Sequence, residues 1–203
     1  MQIAIDKFRD NIAHVKNLAT IHTGLTSMTT SALDLSDILR AEIVLAVSAF
    51  DTFIHDLARI GLLEILQGQR PETPAYLRFQ VSMETVIFCR SHPTMQEWHD
   101  RFDNLIREKH SWQSFQHPDK IAEALRLISE VKLWDEVANQ LGKETKIVKE
   151  QLNVIIDRRN KIAHEADNIP LVPGAKWPID VTLTNNAIDF IEQLAETIYQ
   201  VVA

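Results

Sequence analysis

The chain has 203 residues, of which 45% are hydrophobic and 24% charged, the composition of an ordinary globular protein. Its formal net charge of −7 excludes a globally basic nucleic-acid-binding surface but leaves room for a local basic patch. A single cysteine, Cys89, excludes an internal disulfide and cysteine-rich zinc sites, and the five scattered glycines exclude a glycine-rich phosphate loop.

The first third of the chain predicts two helices. Apolar residues at steps of three and four predict a first helix over residues 5–19, followed by a Ser- and Thr-rich connection at 24–32. Asp34 or Ser36 is the predicted N-cap of a long second helix that ends near residue 66. This second helix is apolar on more than one side, so it is predicted to be the central, most buried helix.

Four shorter helices are predicted next. They cover residues 75–90, 93–110, 118–129 and 133–141. Pro93 and Pro118 suit the first turn of the second and third of these helices, because the missing N–H of proline costs nothing there. Gly142 is predicted to end the fourth.

The last third predicts a long helix over 144–163, a proline-containing loop over 166–181, and a final helix capped by Thr182 or Thr184. No strand-like alternation, internal repeat or composition shift is visible. The predicted fold is therefore all-α: a single-domain up-and-down helical bundle with additional short helices over residues 1–203. The longest apolar run, 43–50, is too short to cross a membrane, and no apolar signal core opens the chain, so we expect a cytoplasmic protein.

Histidine is frequent, but its spacing does not predict a metal site. His92, His99, His110 and His117 are spread over several predicted elements, and the sequence lacks both the Glu-x-x-His and the His-Glu-x-x-His patterns. We therefore expect solvated surface histidines and no metal or cofactor. Asp51 and its neighbour four residues on, His55, are interpreted as a local structural pair rather than a catalytic dyad.

An arginine interrupts the apolar stripe of the long helix before the proline-containing loop. Val148, Leu152 and Ile155 recur at helical spacing, and the next position of the stripe is Arg159. A buried guanidinium is costly unless an anion faces it. Two interpretations stay open here: a buried ion pair with an acid of the central helix such as Asp51, or a cleft that receives a phosphate.

Two further polar residues follow on the same helix. His164 lies roughly 140° around the helix from Arg159, while Asn160 shares the side of His164. Residues 143–161 carry six cationic and three anionic side chains, so this segment has a net charge of +3 in a protein of −7. The pattern predicts a ridge that faces a groove and attracts phosphates, and a symmetric partner chain would close such a groove.

The run from Arg159 to His164, with the sequence RNKIAH, resembles the R-x(4–6)-H motif of HEPN domains, in which a polar residue usually follows the arginine. Residues 39–57 of the second helix, and residues 159–167 with their His-Glu-x-Asp continuation, are similar to the RiboL-PSP-HEPN subfamily. The resemblance extends from about residue 35 to the C-terminus. It implies an all-helical domain that homodimerises and places two motifs in one composite cleft.

The resemblance also implies a chemistry. Many HEPN members are metal-independent endoribonucleases of toxin–antitoxin, phage-defence or RNA-processing systems, and others are inactive binding or dimerisation modules. Arg159 and His164 are accordingly the candidate catalytic residues. Histidine titrates near about pH 6.5, so His164 can take the proton of a ribose 2′-OH and return one, while Arg159 stabilises the phosphate oxygens.

Asn160, Arg158 and Lys161 are the candidate substrate-binding residues. Asn160 would orient His164 or the ribose, and the two cations would steer backbone phosphates. The expected products carry a 2′,3′-cyclic phosphate and a 5′-hydroxyl, and DNA should resist because it lacks the 2′-OH.

Three functions remain open at this point. The first is the endoribonuclease, for which the acidic net charge favours a structured RNA target. The second is an inactive module that binds RNA, a nucleotide or a protein such as a nucleotidyltransferase-type antitoxin, and the third is an assembly scaffold in which Arg159 forms a buried ion pair. Trp177 is expected either to cover the bundle or to stack a base. The remaining tryptophans, Trp98, Trp112 and Trp134, are assigned to packing.

Overall fold

The computed structural model describes residues 1–30, 33–91, 94–170, 172 and 174–203. These residues form eight α-helices and one short 3-10 turn at Tyr76–Arg78. The helices are α1 (Gln2–Met28), α2 (Ser36–Leu66), α3 (Met83–Ser91), α4 (Met95–His110), α5 (Pro118–Leu125), α6 (Leu133–Leu141), α7 (Thr145–Glu165) and α8 (Val181–Val202). The described ranges hold no strand, only an isolated bridge between Asn168 and Lys176. The predicted all-α fold is confirmed.

Helix α2 lies at the centre of the bundle, as its pattern predicts. It contacts α1, α4, α5, α7 and α8, and its apolar residues Phe50, Ile54 and Leu57 are fully buried. Helix α1 runs antiparallel to it, because the amino group of Met1 lies 2.6 Å from Glu64 Oε1 while the ring of Phe8 lies 5.3 Å from that of Phe53. None of the helices in the described ranges is both long and apolar enough to span a bilayer.

Helix α1 is longer than predicted and ends at Met28, so the connection expected at 24–32 is wrong over most of its length. The threonines of this segment do not break the helix, because their hydroxyls donate to carbonyls four residues earlier. Thr23 Oγ1 donates to Ala19 O over 2.9 Å, and Thr26 Oγ1 to His22 O over 2.8 Å. Back-bonding of this kind lets hydroxyl residues remain inside a helix.

The single helix expected at 75–90 is instead a 3-10 turn followed by α3. The chain is extended at Phe79, and Ser82 Oγ accepts a hydrogen bond from the backbone N–H of Thr85 over 3.2 Å, which starts the new helix. Helix α4 begins after a capping box formed by Thr94 and Glu97. Pro93, which the sequence predicted in this first turn, lies outside the described residues.

The remaining boundaries differ by small amounts. Helix α5 ends at Leu125 rather than near residue 129. Gly142, with φ of 62°, ends α6 as predicted. Helix α8 begins earlier than expected, because Asp180 rather than a threonine caps it: its side chain accepts from Leu183 N over 2.8 Å. Thr184 lies inside the helix and donates to Asp180 O.

Two assignments of aromatic residues need correction. Trp134 is buried and Trp98 half-buried, with indole N–H groups bonded to Pro118 O and Cys89 O, but Trp112 is 79% exposed and does not pack. His110 is not a solvated surface histidine. It ends α4 against Phe115, with ring centroids 5.2 Å apart, and is 6% exposed. His92 lies outside the described residues.

Candidate functional site

The end of α7 extends past the hydrophobic core. Val148, Leu152 and Ile156 on its inner face are fully buried. Over the next two turns the same face carries Arg159 and Ile162, which are only half-buried. The arginine that interrupts the apolar stripe therefore lies where the helix leaves the core and solvent can reach it.

Arg159 has no ion pair and no hydrogen bond with any residue in the described part of the chain. The ion pair with Asp51, one of the two interpretations left open by the sequence, is not formed. Asp51 Oδ1 accepts the backbone N–H of Phe115 over 2.6 Å instead. The expected pairing of Asp51 with His55 is also wrong, because the His55 ring stacks on Phe115 at 4.3 Å.

His164 is exposed in the last turn of α7, which ends at Glu165 rather than at residue 163. Asn160 is half-buried one turn earlier, on the same side of the helix. Neither side chain bonds to another residue in the described ranges. Arg159, Asn160 and His164 thus occupy two successive turns with their polar groups unengaged.

The other two candidate residues have partners. Arg158 Nη2 donates to Asp167 Oδ2 over 2.8 Å, to Trp177 O over 3.2 Å and to Pro178 O over 3.1 Å. Lys161 Nζ lies 5.0 Å from the centroid of the Trp177 ring, a cation–π distance. The structure therefore places both cations against the loop that follows α7.

Two residues of this region were not singled out from the sequence. Asp167 is completely buried, and Arg40 of α2 is 6% exposed. Arg40 Nε donates to Asp167 Oδ2 over 2.7 Å, so one carboxylate oxygen joins Arg40 and Arg158. An arginine beside Leu39 in the most apolar helix was the available signal for this pair.

Burial lowers the pKa of Arg158, and the nearby Asp167 carboxylate opposes that effect. The loop closes over this ion pair, because Arg40 Nη2 donates to Trp177 O over 3.0 Å. Trp177 itself is half-buried and borders an open cavity of about 410 Å³ whose other walls include Arg40 and Lys176. This end of the molecule therefore combines a rigid, buried ion cluster with unengaged polar groups on the helix surface.

In the described ranges, no group of three or more histidine, cysteine or carboxylate side chains lies close enough together to bind a metal ion. The arrangement at the end of α7 offers an imidazole, a guanidinium and a carboxamide. These groups can transfer a proton and stabilise a negatively charged phosphate.

Comparison with known families gives one match. The family model described as RiboL-PSP-HEPN matches residues 9–203. The chain belongs to the RiboL-PSP-HEPN family. The match covers every helix from within α1 to α8, as well as the RNKIAH run at the end of α7, and membership associates this HEPN chain with RNA-related functions. No curated protein and no solved structure matches the chain.

Proposed function

We propose that this HEPN protein is a metal-independent endoribonuclease with Arg159 and His164 as its catalytic residues. The observation that carries the proposal is the half-buried Arg159 guanidinium, which lies in line with the apolar face of α7 and has no carboxylate partner among the described residues. Removing part of a cation's hydration without supplying an internal anion costs free energy. An external anion such as an RNA phosphate offsets that cost.

The proposed reaction is an internal transesterification of RNA. His164 accepts the proton of a ribose 2′-OH, and the 2′ oxygen attacks the adjacent phosphorus. Arg159 stabilises the negative charge on the non-bridging phosphate oxygens as the phosphorus becomes pentacovalent. The bond to the 5′ oxygen breaks, protonated His164 returns its proton to that oxygen, and the products are a 2′,3′-cyclic phosphate and a 5′-hydroxyl.

The neighbouring residues bind the substrate in this proposal. Asn160 lies on the side of His164 and orients the imidazole or the ribose. Lys161 and Arg158 supply positive charge to backbone phosphates. Because Nη2 of Arg158 is already held by Asp167, the phosphate at the reaction centre is assigned to Arg159.

The proposal includes a homodimer that brings two copies of the motif into one cleft, and treats residues 1–203 as one domain. It places the protein in the cytoplasm, in a toxin–antitoxin or phage-defence system with an antitoxin partner. The second candidate function is an inactive module that binds RNA, a nucleotide or a protein, and the net charge of −7 favours it because that charge repels bulk RNA.

The first prediction concerns cleavage. Purified wild-type protein should cut labelled structured RNA in EDTA, and Arg159→Ala and His164→Ala should each abolish cutting. Neither side chain bonds to another described residue, so both variants should keep the wild-type circular dichroism spectrum and melting temperature. The product ends are identified by their resistance to phosphatase before the cyclic phosphate is opened.

Matched controls are Arg78→Ala and His14→Ala, which remove exposed side chains distant from α7 in sequence. Both should cut at the wild-type rate, and a 2′-deoxy substrate should resist all of the proteins. Binding of RNA without cleavage would favour the inactive module. Unfolding of Arg159→Ala would favour the assembly scaffold.

A further inference from the structure

The turn after α7 has an unusual backbone. Ala166 and Asp167 both have positive φ, at 49° and 59°, a region that is sterically unfavourable for residues with a Cβ. Hydrogen bonds hold this turn from both sides: Asp167 N donates to Lys161 O over 2.9 Å, and Trp177 N donates to Asp167 O over 2.9 Å. The backbone of Asp167 therefore joins the end of α7 to the far end of the loop.

The side chain of Asp167 joins the same parts to α2. Its Oδ2 accepts from Arg40 Nε over 2.7 Å and from Arg158 Nη2 over 2.8 Å. The carbonyl of Trp177 also accepts from both arginines, over 3.0 and 3.2 Å. A fully buried carboxylate between two guanidiniums adds little net stability, because the cost of its desolvation offsets much of the attraction. Stability alone therefore does not explain this cluster.

The cluster fixes two cations at the end of α7, Arg158 directly and Lys161 through Trp177. It turns the guanidinium of Arg158 towards the loop, and it fixes Trp177, against whose ring Lys161 lies. Arg159 and His164 are left without partners in the described ranges, on a helix end that the cluster attaches to α2. Geometry at a reaction centre must be held closely, since a displacement of about 1 Å can cost about 100-fold in rate.

We infer that Asp167, held by its ion pair with Arg40, is a positioning residue that keeps Arg159 and His164 in the geometry for RNA cleavage. The inference rests on the proposed function, because it assigns a role within that reaction. Asp167 acts through the helix end and the loop, and it does not touch the phosphate.

The test begins with Asp167→Asn, which keeps the shape of the side chain and removes its charge. Cleavage should fall by about 100-fold, with the loss in kcat rather than in KM. The variant removes the buried counter-ion that Arg40 and Arg158 share, so its melting temperature should also fall. Asp37→Asn is the matched control, because Asp37 also contacts Arg40, over 3.3 Å, but is exposed; it should cut normally.

A double variant separates positioning from stability. Asp167→Asn with Arg40→Met restores the wild-type net charge of the cluster, and replacing both members of a buried ion pair is often neutral for stability. Its melting temperature should return towards the wild-type value while cleavage stays low, because the link between α2 and α7 is still missing. Recovery of cleavage together with the melting temperature would overturn the inference and leave Asp167 a purely structural residue.

Trp177 gives a readout that does not depend on cleavage. Acrylamide quenching of tryptophan fluorescence is measured for each protein and for the same protein carrying Trp177→Phe. The difference between the two measurements is the contribution of Trp177. This contribution should increase in Asp167→Asn and in the double variant, since the loop is released from both arginines. If wild-type protein cuts no RNA but the Trp177 signal changes as expected, the proposed function fails while the anchoring stands. Unchanged Trp177 quenching in both variants, or normal cutting by Asp167→Asn, overturns the inference.

Discussion

His110 shows how far one residue can depart from its ordinary chemistry in this bundle. The side chain is buried at the end of α4, and its Nδ1 has no hydrogen-bond partner among the residues that the structure describes. The pKa of His110 is lowered to about 4, chiefly by burial and to a smaller extent by the nearby positive charges of His55 and Lys109. The folded protein therefore holds this imidazole neutral at pH values where an unfolded chain would protonate it.

This environment predicts acid sensitivity. In the unfolded chain this histidine titrates near about pH 6.5. The contribution of neutral His110 to the free energy of unfolding is therefore fully present above that pH, and it is lost as the pH falls towards the folded-state pKa of about 4. The loss attributable to His110 should approach about 3 kcal/mol at the acid end of this window. His110→Phe, which suits the aromatic surroundings, should remove that part of the pH dependence in denaturant unfolding between pH 7 and 4.5.

The control for this prediction is His14→Phe, since His14 is exposed on α1. That variant should retain the wild-type dependence of unfolding free energy on pH. An unchanged dependence in His110→Phe would show that other groups cause the acid sensitivity.

At the scale of elements, Gly61 determines how closely α2 packs on the turn after α5. A Cβ built on Gly61 would lie 2.8 Å from both Cδ1 and Cγ2 of the buried Ile128. Helix propensity alone would favour alanine at this position by about 1 kcal/mol. Packing opposes it, because interior atoms have little room to move.

Gly61→Ala should therefore destabilise the protein by about 1–3 kcal/mol, seen as a lower melting temperature. Gly24→Ala is the matched control: Gly24 lies within α1, and its added Cβ would meet no atom within 4 Å. That variant should stabilise by about 0.5–1 kcal/mol. An equal rise in melting temperature for both variants would contradict the packing argument.

The sequence predicted the helices better than their ends. Periodicity located α2, although its N-cap is Leu35 rather than the predicted Asp34 or Ser36, and periodicity with Gly142 located α6. The end of α1 depends on threonine back-bonding, and α3 depends on a local turn at Phe79. At the site, the pattern placed Arg159 on the inner face of α7. It could not reveal the Arg40–Asp167 pair, because that contact forms between residues 127 positions apart in the chain.

At the scale of the whole molecule, one face of α7 packs against no other helix in the described part of the chain. Ile147 and Val154 are 47% and 68% exposed, and Lys161 lies on the same side two turns further on. Exposed apolar side chains in register along a helix are typical of an association surface. We propose this exposed face of α7 as the contact between the two copies of the proposed homodimer.

The dimer prediction is tested by light scattering at micromolar concentration. The wild type should have about twice the chain mass of 23.2 kDa. Val154→Asp should yield monomers that melt normally and cut poorly, because an unpaired carboxylate at an interface is costly. Ile3→Asp, at another exposed apolar residue, should remain dimeric. A wild-type mass of one chain would refute the dimer.

The Arg158–Asp167 contact imposes a fixed spacing on this part of the chain. One inserted residue between them would rotate the following backbone by about 100°, and the carboxylate would no longer meet both guanidiniums. Beyond the Asn168–Lys176 bridge the loop closes on itself, with Ile169 N donating to Ala175 O over 2.8 Å. Insertions and deletions among homologues should therefore accumulate between positions 169 and 175, and the segment 158–167 should keep a constant length.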